Sequence, residues 1–134
     1  MPNPSENNLY EYAVVRYVPD VEREEFVNVG LVMMCKRRKW LKVETKVDDR
    51  RVLAINPKAD LINLGQQLEA FRLVGQECVG PLGEAEAHER FRWLTAVRSA
   101  CISTSRPHPG KCSDLESTFC RLFQSLVEPV EQNV

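Results

Sequence analysis

The sequence has no long hydrophobic run, no marked excess of charge of either sign and no closely paired cysteines. Because a membrane-spanning helix needs about 20 apolar residues, we expect no membrane segment. The 134 residues carry 18 Lys and Arg against 19 Asp and Glu, a net charge of −1 at pH 7. Proteins held mainly on nucleic acid or anionic lipid usually have a basic excess, so this balance argues against both classes. The polar N-terminus lacks a signal-peptide core, and we therefore expect a cytoplasmic protein.

Cysteine use fits that expectation. Five cysteines with no CxxC make a poor disulfide framework and are typical of reduced thiols. A zinc site built from Cys101, His108, Cys112 and Cys120 would have separations of seven, four and eight positions. Structural zinc sites normally use a short paired spacing. The sequence therefore predicts no metal site, and no motif in it indicates a cofactor.

The composition is that of an ordinary globular domain, with 43% hydrophobic and 28% charged residues. We predict a single domain over residues 9–128. Residues 1–8 contain little that could be buried and are predicted to form a disordered arm. Residues 129–134 are predicted to form a mobile acidic tail.

The first half of the chain has the pattern of an antiparallel sheet. Residues 40–47 alternate between apolar and polar side chains, which is typical of a strand with one solvated face. Two apolar runs precede this strand, at residues 9–18 and 26–35. Successive strands with short links form a meander. Residues 101–105 are predicted to add a fourth strand at the edge.

The second half has helical periodicity. Apolar residues at steps of three and four predict helices over residues 60–78 and 84–99. The prolines within residues 107–110 predict an irregular loop, and Ser113 with Glu116 forms a capping box that opens a last helix. The predicted fold class is therefore α+β, with a three- to four-stranded antiparallel meander and helices packed on one face.

A first group of candidate binding residues lies in and after the first strand, at Arg16, Arg23, Glu24 and Asn28. An arginine within an apolar strand can bind a carboxylate or a phosphate, here assisted by Asn28. In the structural alternative, Arg16 pairs with a glutamate of the following loop and ties that loop to the sheet. The sequence leaves both interpretations open. Gly30, inside the second strand, indicates a bulge or a close approach of another backbone.

A second group, Ser105, Arg106 and His108, precedes the last helix. A hydroxyl, a guanidinium and an imidazole in one loop can hold an oxyanion. Catalysis by a serine would require a third group to orient His108, and Asp114 is the candidate. The chain has no P-loop, GxGxxG or GxSxG motif. We therefore predict a binding or structural loop and assign no catalytic residue.

A third feature is the basic run at residues 36–39, which is followed by Trp40. Such a run can contact a phosphate backbone while the indole stacks on a base. Charged hairpin tips are common, however, and the net charge of the chain is slightly acidic. We therefore expect no nucleic-acid partner.

Two segments resemble the signatures of a bacterial family, domain of unknown function 3037 (DUF3037). The first runs from Tyr10 to Gly30 and contains Val21-Glu22-Arg23-Glu24-Glu25 and Asn28-Val29-Gly30. The second is Ser105-Arg106-Pro107-His108-Pro109-Gly110, followed by Cys112-Ser113-Asp114. The resemblance implies a small single-domain bacterial protein without an established activity. It also implies a partner, a kinase-like protein encoded nearby that is related to the persistence-toxin kinases.

Both candidate groups fall within these signatures, so we hypothesise that they form one site. The sequence favours a non-catalytic interaction or accessory module over an enzyme. The alternative is a small enzyme or ligand-binding protein for a phosphorylated or carboxylated small molecule. In that alternative Arg16 or Arg106 would hold the anion and His108 would serve as the acid–base group. A homodimer remains open.

Overall fold

A computed structural model describes residues 8–76, 85–96 and 101–129, which form one antiparallel sheet and four helices. The strands are β1 (Asn8–Tyr17), β2 (Val27–Cys35), β3 (Trp40–Thr45), β4 (Ile102–Thr104) and β5 (His108–Cys112). The helices are α1 (Asp49–Ile55), α2 (Leu61–Gln76), α3 (Ala87–Ala96) and α4 (Leu115–Leu126), and a 3₁₀ turn (Val21–Arg23) links β1 to β2. The predicted antiparallel α+β fold is confirmed.

One residue of the predicted N-terminal arm lies within the described residues. Asn8, placed in the arm by the sequence, is the first residue of β1 and is only 5% exposed. Its Nδ2 donates a hydrogen bond to the carbonyl of Ser113 at 3.1 Å. The rest of the predicted arm and the predicted tail beyond residue 129 lie outside the described residues. Cys78, where the first predicted helix ends, and Glu84, where the next one begins, also lie outside them.

β1 is the strand on which the sheet is assembled. The strand order is β3-β2-β1-β4, and β5 also pairs with β1. β4 follows the C-terminal half of β1, with Val15 opposite Thr104, and β5 follows the N-terminal half, with Tyr12 opposite His108. Three residues, 105–107, therefore span a gap opposite residues 13–14, and the register shifts by one between β4 and β5.

The predicted irregular loop at residues 107–110 is wrong, because this segment forms the start of β5. On this side of β1, Ser105 N donates a hydrogen bond to the carbonyl of Val14, and Val18 N donates one to the carbonyl of Cys101. The even-numbered residues of β1 therefore turn their backbone N–H and C=O groups toward β4 and β5. Since Tyr12 pairs with His108, the alternation of the ladder turns the nitrogen of Pro109 outward. Proline lacks an N–H and is tolerated in a strand at such an edge position.

The helices lie on both faces of the sheet, which corrects the prediction of a single covered face. In β2, Val32 and Met34 pack with α1, α2 and α3, whereas Leu31 and Met33 pack with α4. A strand that is apolar on both faces needs cover on both. The predicted cap of α4 is displaced by one residue, because Asp114 and not Ser113 accepts the helical N–H, from Ser117 at 3.2 Å.

Candidate binding surface

The topology brings the two groups of candidate residues to opposite sides of one strand. Arg16 of β1 pairs with Asn28 of β2 on one side and with Ser103 of β4 on the other. Further along β1, Tyr12 pairs with His108 of β5. At about 3.3 Å per residue, Arg16 and His108 are about 13 Å apart along the strand. The candidates therefore adjoin one surface and do not converge on a single pocket.

A bulge in β2 places Asn28 opposite Arg16. The register between β1 and β2 shifts between Val15 and Arg16, so Gly30 faces Val15 and Val29 is the additional residue. A Cβ at position 30 would lie 2.9 Å from the carbonyl oxygen of Glu44, closer than real Cβ atoms approach. The predicted bulge at Gly30 is thus confirmed.

The bulge turns the Asn28 side chain toward α4. Asn28 Nδ2 donates to the carbonyl of Leu126 at 2.9 Å, at the C-terminal end of that helix. Because directly paired residues of an antiparallel ladder project to the same side, Arg16 lies on this face of the sheet too. Its charge is therefore presented beside the end of α4.

The Arg16 guanidinium is held against an aromatic ring. Its Cζ lies 4.1 Å from the ring centroid of Phe26, which is 45% exposed, in a cation–π contact. Arg16 Nε and Asn28 Oδ1 are both buried and have no hydrogen-bond partner. Within the described residues no carboxylate pairs with Arg16, so the structural alternative of an Arg16–glutamate pair is wrong for this part of the chain.

The loop glutamates have other roles. Glu25 Oε1 accepts a hydrogen bond from Arg23 Nε at 2.7 Å, and this bond raises the pKa of the Arg23 guanidinium. Glu24 adopts a left-handed backbone, with φ at 57°, and ends the 3₁₀ turn. Both Arg23 and Glu24 are exposed. They shape the loop beside Phe26 and do not contact Arg16 in the structure.

Ser105 is built into the sheet. It is 6% exposed, and its Oγ accepts a hydrogen bond from Val14 N at 2.9 Å and donates one to the carbonyl of Arg106 at 3.0 Å. The hydroxyl therefore replaces the strand acceptor that is missing at the gap between β4 and β5. Asp114, the candidate for orienting His108, is engaged instead in capping α4. The Ser105 hydroxyl is therefore hydrogen-bonded as part of the sheet, and among the described residues no general base accepts its proton, as a nucleophilic serine would require.

Aromatic side chains continue along β1 toward its N-terminus. The rings of Tyr10 and Tyr12 are 6.3 Å apart, and those of Tyr12 and His108 are 5.1 Å apart. Both tyrosines are half-buried and pack against the α4 side of the core, whereas His108 is exposed. A Cβ at Gly110 would overlap the Tyr10 ring, so glycine is what lets this ring lie across β5.

We call this set of partly exposed side chains the aromatic–basic strip. It consists of Tyr10, Tyr12, Arg16, Phe26 and His108. The period of two along β1 could have indicated the tyrosines from the sequence, because positions 10, 12 and 16 face the same side of a strand. Sequence reasoning concentrated on charged groups and missed them.

An open groove lies at the start of β1, on the face of the sheet opposite to the strip. The groove has a volume of about 320 Å³ and is lined by apolar side chains together with Glu11 and Lys36. Met34 belongs to the core under α1–α3, and Glu11 and Pro109 are paired in the ladder on that same face. The groove is therefore separate from the strip, although Tyr10 contributes to its lining.

α4 is fixed over β2 and β3 and leaves the strip partly exposed. Lys42 Nζ forms a 2.6 Å ion pair with Glu116, and this hydrogen bond is the main reason why the pKa of Lys42 is raised. At the other end of the helix, Arg51 Nη1 donates to the carbonyl of Val127 at 3.1 Å. Lys46 forms a second ion pair, with Glu128.

The remaining candidates lie apart from the strip or are engaged in packing. Arg106 is exposed at the gap between β4 and β5. Trp40 lies edge-on to Phe119 at 6.4 Å, beneath α4, so its ring is part of a packed cluster and is not free to stack on a base. Arg38, in the basic turn, donates to Asn8 Oδ1 at 2.9 Å.

Metal-type ligands group at one place in the part of the chain that the structure describes. Glu86, His88 and Glu89 have ligand atoms within 4.8 Å of one another near the start of α3, far along the chain from the strip. The cysteines considered for zinc are not grouped in this way. Cys101 donates a hydrogen bond to Gln67 Oε1 at 3.5 Å, and burial raises the pKa of its thiol. Among the described helices, none combines the length and the apolar character needed to cross a bilayer.

Comparison with known proteins identifies one family. Residues 12–127 match the model of a family described as "Protein of unknown function (DUF3037)". The match covers most of the chain, including the second segment that carries the resemblance and all of the first except its residues 10 and 11. No curated protein and no solved structure matches the chain.

Proposed function

The chain belongs to the DUF3037 family, and on that premise we propose that it is a non-catalytic accessory module that binds a protein partner through the aromatic–basic strip. One observation carries the proposal. α4 covers only part of its face of the sheet, and the remaining part presents an exposed Phe26 ring beneath a guanidinium that has no carboxylate partner among the described residues.

The residue types of the strip are those of binding hot spots. Tyr, Phe and Arg are enriched in the cores of protein–protein interfaces, where they bury much area for each side chain that is immobilised. Tyr10 and Tyr12 are held by the Gly110 contact and by the His108 ring. Because these rings are already ordered, a partner would lose less conformational entropy in binding them.

Both edges of the sheet are unsuited to the addition of a partner strand. At β3, the Gln76 side chain accepts a hydrogen bond from Val43 N at 2.7 Å and donates one to the carbonyl of Leu41 at 3.1 Å, as a neighbouring strand would. At β5, Pro109 removes an outward N–H. Such features protect edges from pairing, and they favour binding across the face.

The charges of the strip indicate an acidic partner surface. Arg16 has no carboxylate partner among the described residues, and Arg106, beside the strip, is exposed at the gap between β4 and β5. Complementary charge chiefly increases the rate and the specificity of association. The kinase-like protein implied by the family resemblance is the partner that we propose.

The small-ligand alternative has one observation in its favour, namely the buried and unpaired Nε of Arg16. The bonding of Ser105 and Asp114 supports a module without catalysis, because both groups that a serine mechanism would use have structural partners.

The test is tagged co-purification from the native bacterium, followed by mass spectrometry and sizing. Phe26→Ala is compared with Trp93→Ala, a matched control, because Trp93 on α3 has nearly the same exposure, 46% against 45%. We expect wild type and Trp93→Ala to retain a stoichiometric protein partner and Phe26→Ala to lose at least nine-tenths of it.

Two outcomes would overturn the proposal. A wild-type protein that purifies as a monomer or homodimer would contradict the accessory role. A partner lost by Trp93→Ala and kept by Phe26→Ala would show that binding uses the α3 surface and not the strip.

A further inference from the structure

We propose that Arg16 binds a carboxylate carried by a peptide chain, so that the strip recognises an acidic residue or the C-terminus of its protein partner. This inference rests on the proposed function and specifies its chemistry.

Arg16 carries a charge that no described carboxylate compensates. The side chain is half-buried, and charged groups at that depth are normally paired. Glu25 of the adjoining loop pairs with Arg23, and Glu128 after α4 pairs with Lys46. The guanidinium thus has an aromatic ring beneath it and, among the described residues, no anion of its own.

Two buried polar atoms on directly paired residues lack a hydrogen-bond partner. Arg16 Nε is a donor without an acceptor, and Asn28 Oδ1 is an acceptor without a donor. Native structures contain few such groups. Both atoms are shielded from solvent, so a ligand would reach the guanidinium through its two Nη nitrogens, which are not among the buried unpaired atoms.

A carboxylate is the class of ligand that this setting favours. Its two oxygens match the planar fork of a guanidinium. The Asn28 side chain is held by the hydrogen bond from its Nδ2 to the carbonyl of Leu126, and its buried Oδ1 does not reach the ligand. The exposed Phe26 ring borders the guanidinium with apolar surface, which suits a carboxylate carried on a peptide chain better than a free phosphate.

Phe26 completes the site. Stacking at 4.1 Å holds the plane of the guanidinium against the ring, and the exposed part of the ring offers apolar surface to the methylene groups of an acidic side chain. A lysine at position 16 would keep the charge but would lose the fork and the planar stacking.

The experiment uses the isolated full chain, labelled with ¹⁵N, and follows the Arg16 Nε–H and the Phe26 amide by NMR at constant ionic strength. The probes are N-acetyl-glutamate N-methylamide, which carries an acidic side chain, and N-acetylglycine, which carries a terminal carboxylate. The neutral control is N-acetyl-glutamine N-methylamide, and inorganic phosphate is the competing anion.

We expect a saturable shift of both signals with at least one carboxylate probe and none with the neutral control. The stronger of the two carboxylates identifies the source, side chain or terminus. Arg16→Lys, checked for folding by its amide spectrum, should weaken binding at least tenfold. Arg121→Gln, which removes an exposed arginine on α4, should leave binding unchanged.

A shift with phosphate but with neither carboxylate would overturn the inference, as would the absence of any saturable shift. If Arg16→Lys bound the carboxylate probe as tightly as wild type, the planar guanidinium of Arg16 would not be needed for recognition. These outcomes are separable from failure of the proposed function. Co-purification of a partner without a carboxylate response removes only this inference. A carboxylate response without a partner supports the Arg16 site and removes the accessory role.

Discussion

The two faces of the sheet differ in how completely they are covered. Three helices close the first face, where Phe91, Leu94 and Val52 have no exposed surface. On the second face α4 alone covers β2, β3 and Val14 of β1, and the aromatic–basic strip beside it stays partly exposed. The comparison indicates that one face supplies most of the stability of the fold, while the other leaves ordered side chains available for binding.

The helices are held to the two faces of the sheet by different kinds of contact. On the first face the contact is close and apolar, since Gly75 of α2 approaches Val43 so nearly that a Cβ would lie 2.7 Å from Val43 Cγ2. On the second face α4 is tied down at its ends by polar groups, among them Lys42 with Glu116 and Arg51 with the carbonyl of Val127. Close apolar packing tolerates little change of volume, whereas exposed ion pairs contribute little energy.

The largest expected effect tests the closure of the first face. Phe91→Ala should lower the free energy of unfolding by about 4–5 kcal/mol, the upper part of the range for a buried Phe, because three helices prevent the cavity from collapsing. Phe119→Ala on the second face, where Phe119 is 1% exposed, should cost about 3 kcal/mol. There the half-buried Trp40 and the Lys42 stem can move into the space. Urea unfolding, with midpoints and m-values compared, measures the loss of stability in each variant. Equal losses for Phe91→Ala and Phe119→Ala would contradict the difference between the two faces.

A smaller change in stability tests how tightly the first face is packed. Gly75→Ala should lower the free energy of unfolding by about 1–2 kcal/mol, because the new methyl group would meet Val43 and Leu94 and this strain exceeds the gain in helix propensity. Gly65→Ala, on the same helix with nothing within 4 Å, should raise stability by about 0.5–1 kcal/mol. Thermal or urea unfolding of the pair measures the difference. If Gly75→Ala raised the free energy of unfolding, Val43 and Leu94 would be able to move aside for the new methyl group, and the first face would not be tightly packed.

The smallest expected change in stability comes from the ion pair between Lys42 and Glu116, which holds α4 to the sheet. Glu116→Gln should lower the free energy of unfolding at pH 7 by about 0.5 kcal/mol, because Glu116 is 59% exposed and solvent screens the pair. The pKa of Lys42 is raised above 10.5 in the folded state. The ion pair therefore contributes fully below pH 10.5, and its contribution is lost as the pH rises through the folded-state pKa.

Urea midpoints of wild type and Glu116→Gln at pH 7, 9 and 11 measure that dependence. The gap between the two proteins should persist to pH 9 and shrink at pH 11. Glu69→Gln, which removes an exposed pair within α2, is the control. A gap for Glu116→Gln that grows with pH would contradict the assigned cause.

Local sequence patterns were sufficient for most individual elements. The alternation of residues 40–47 and the apolar run before Cys35 predicted β3 and β2, since burial on one or both faces leaves a period that can be read directly. The prediction failed at β5, because the prolines there are compatible with a strand only at an unpaired edge. Which edge is unpaired depends on β1, about 100 positions earlier.

The candidate site was predictable in part for the same reason. Arg16, Asn28, Ser105 and His108 were selected from the sequence, and the pairing of β1 with β2, β4 and β5 brings their strands together. The role of Ser105 as a substitute strand acceptor could not be predicted, because the gap that it fills arises from a register shift between separate strands. The missing carboxylate partner of Arg16 likewise depends on where the glutamates of the loop point.

Consecutive residues set most of the helices and strands and their apolar faces, because helix and strand periods are local properties. Packing of the whole chain places α4 on the second face, where it buries Val14 of β1 and leaves the neighbouring strip partly exposed. That placement depends on contacts between residues far apart in the chain, such as Lys42 with Glu116 and Asn28 with the carbonyl of Leu126. The same placement leaves Arg16 and Phe26 partly exposed, and the surface that we propose for binding is therefore a product of packing.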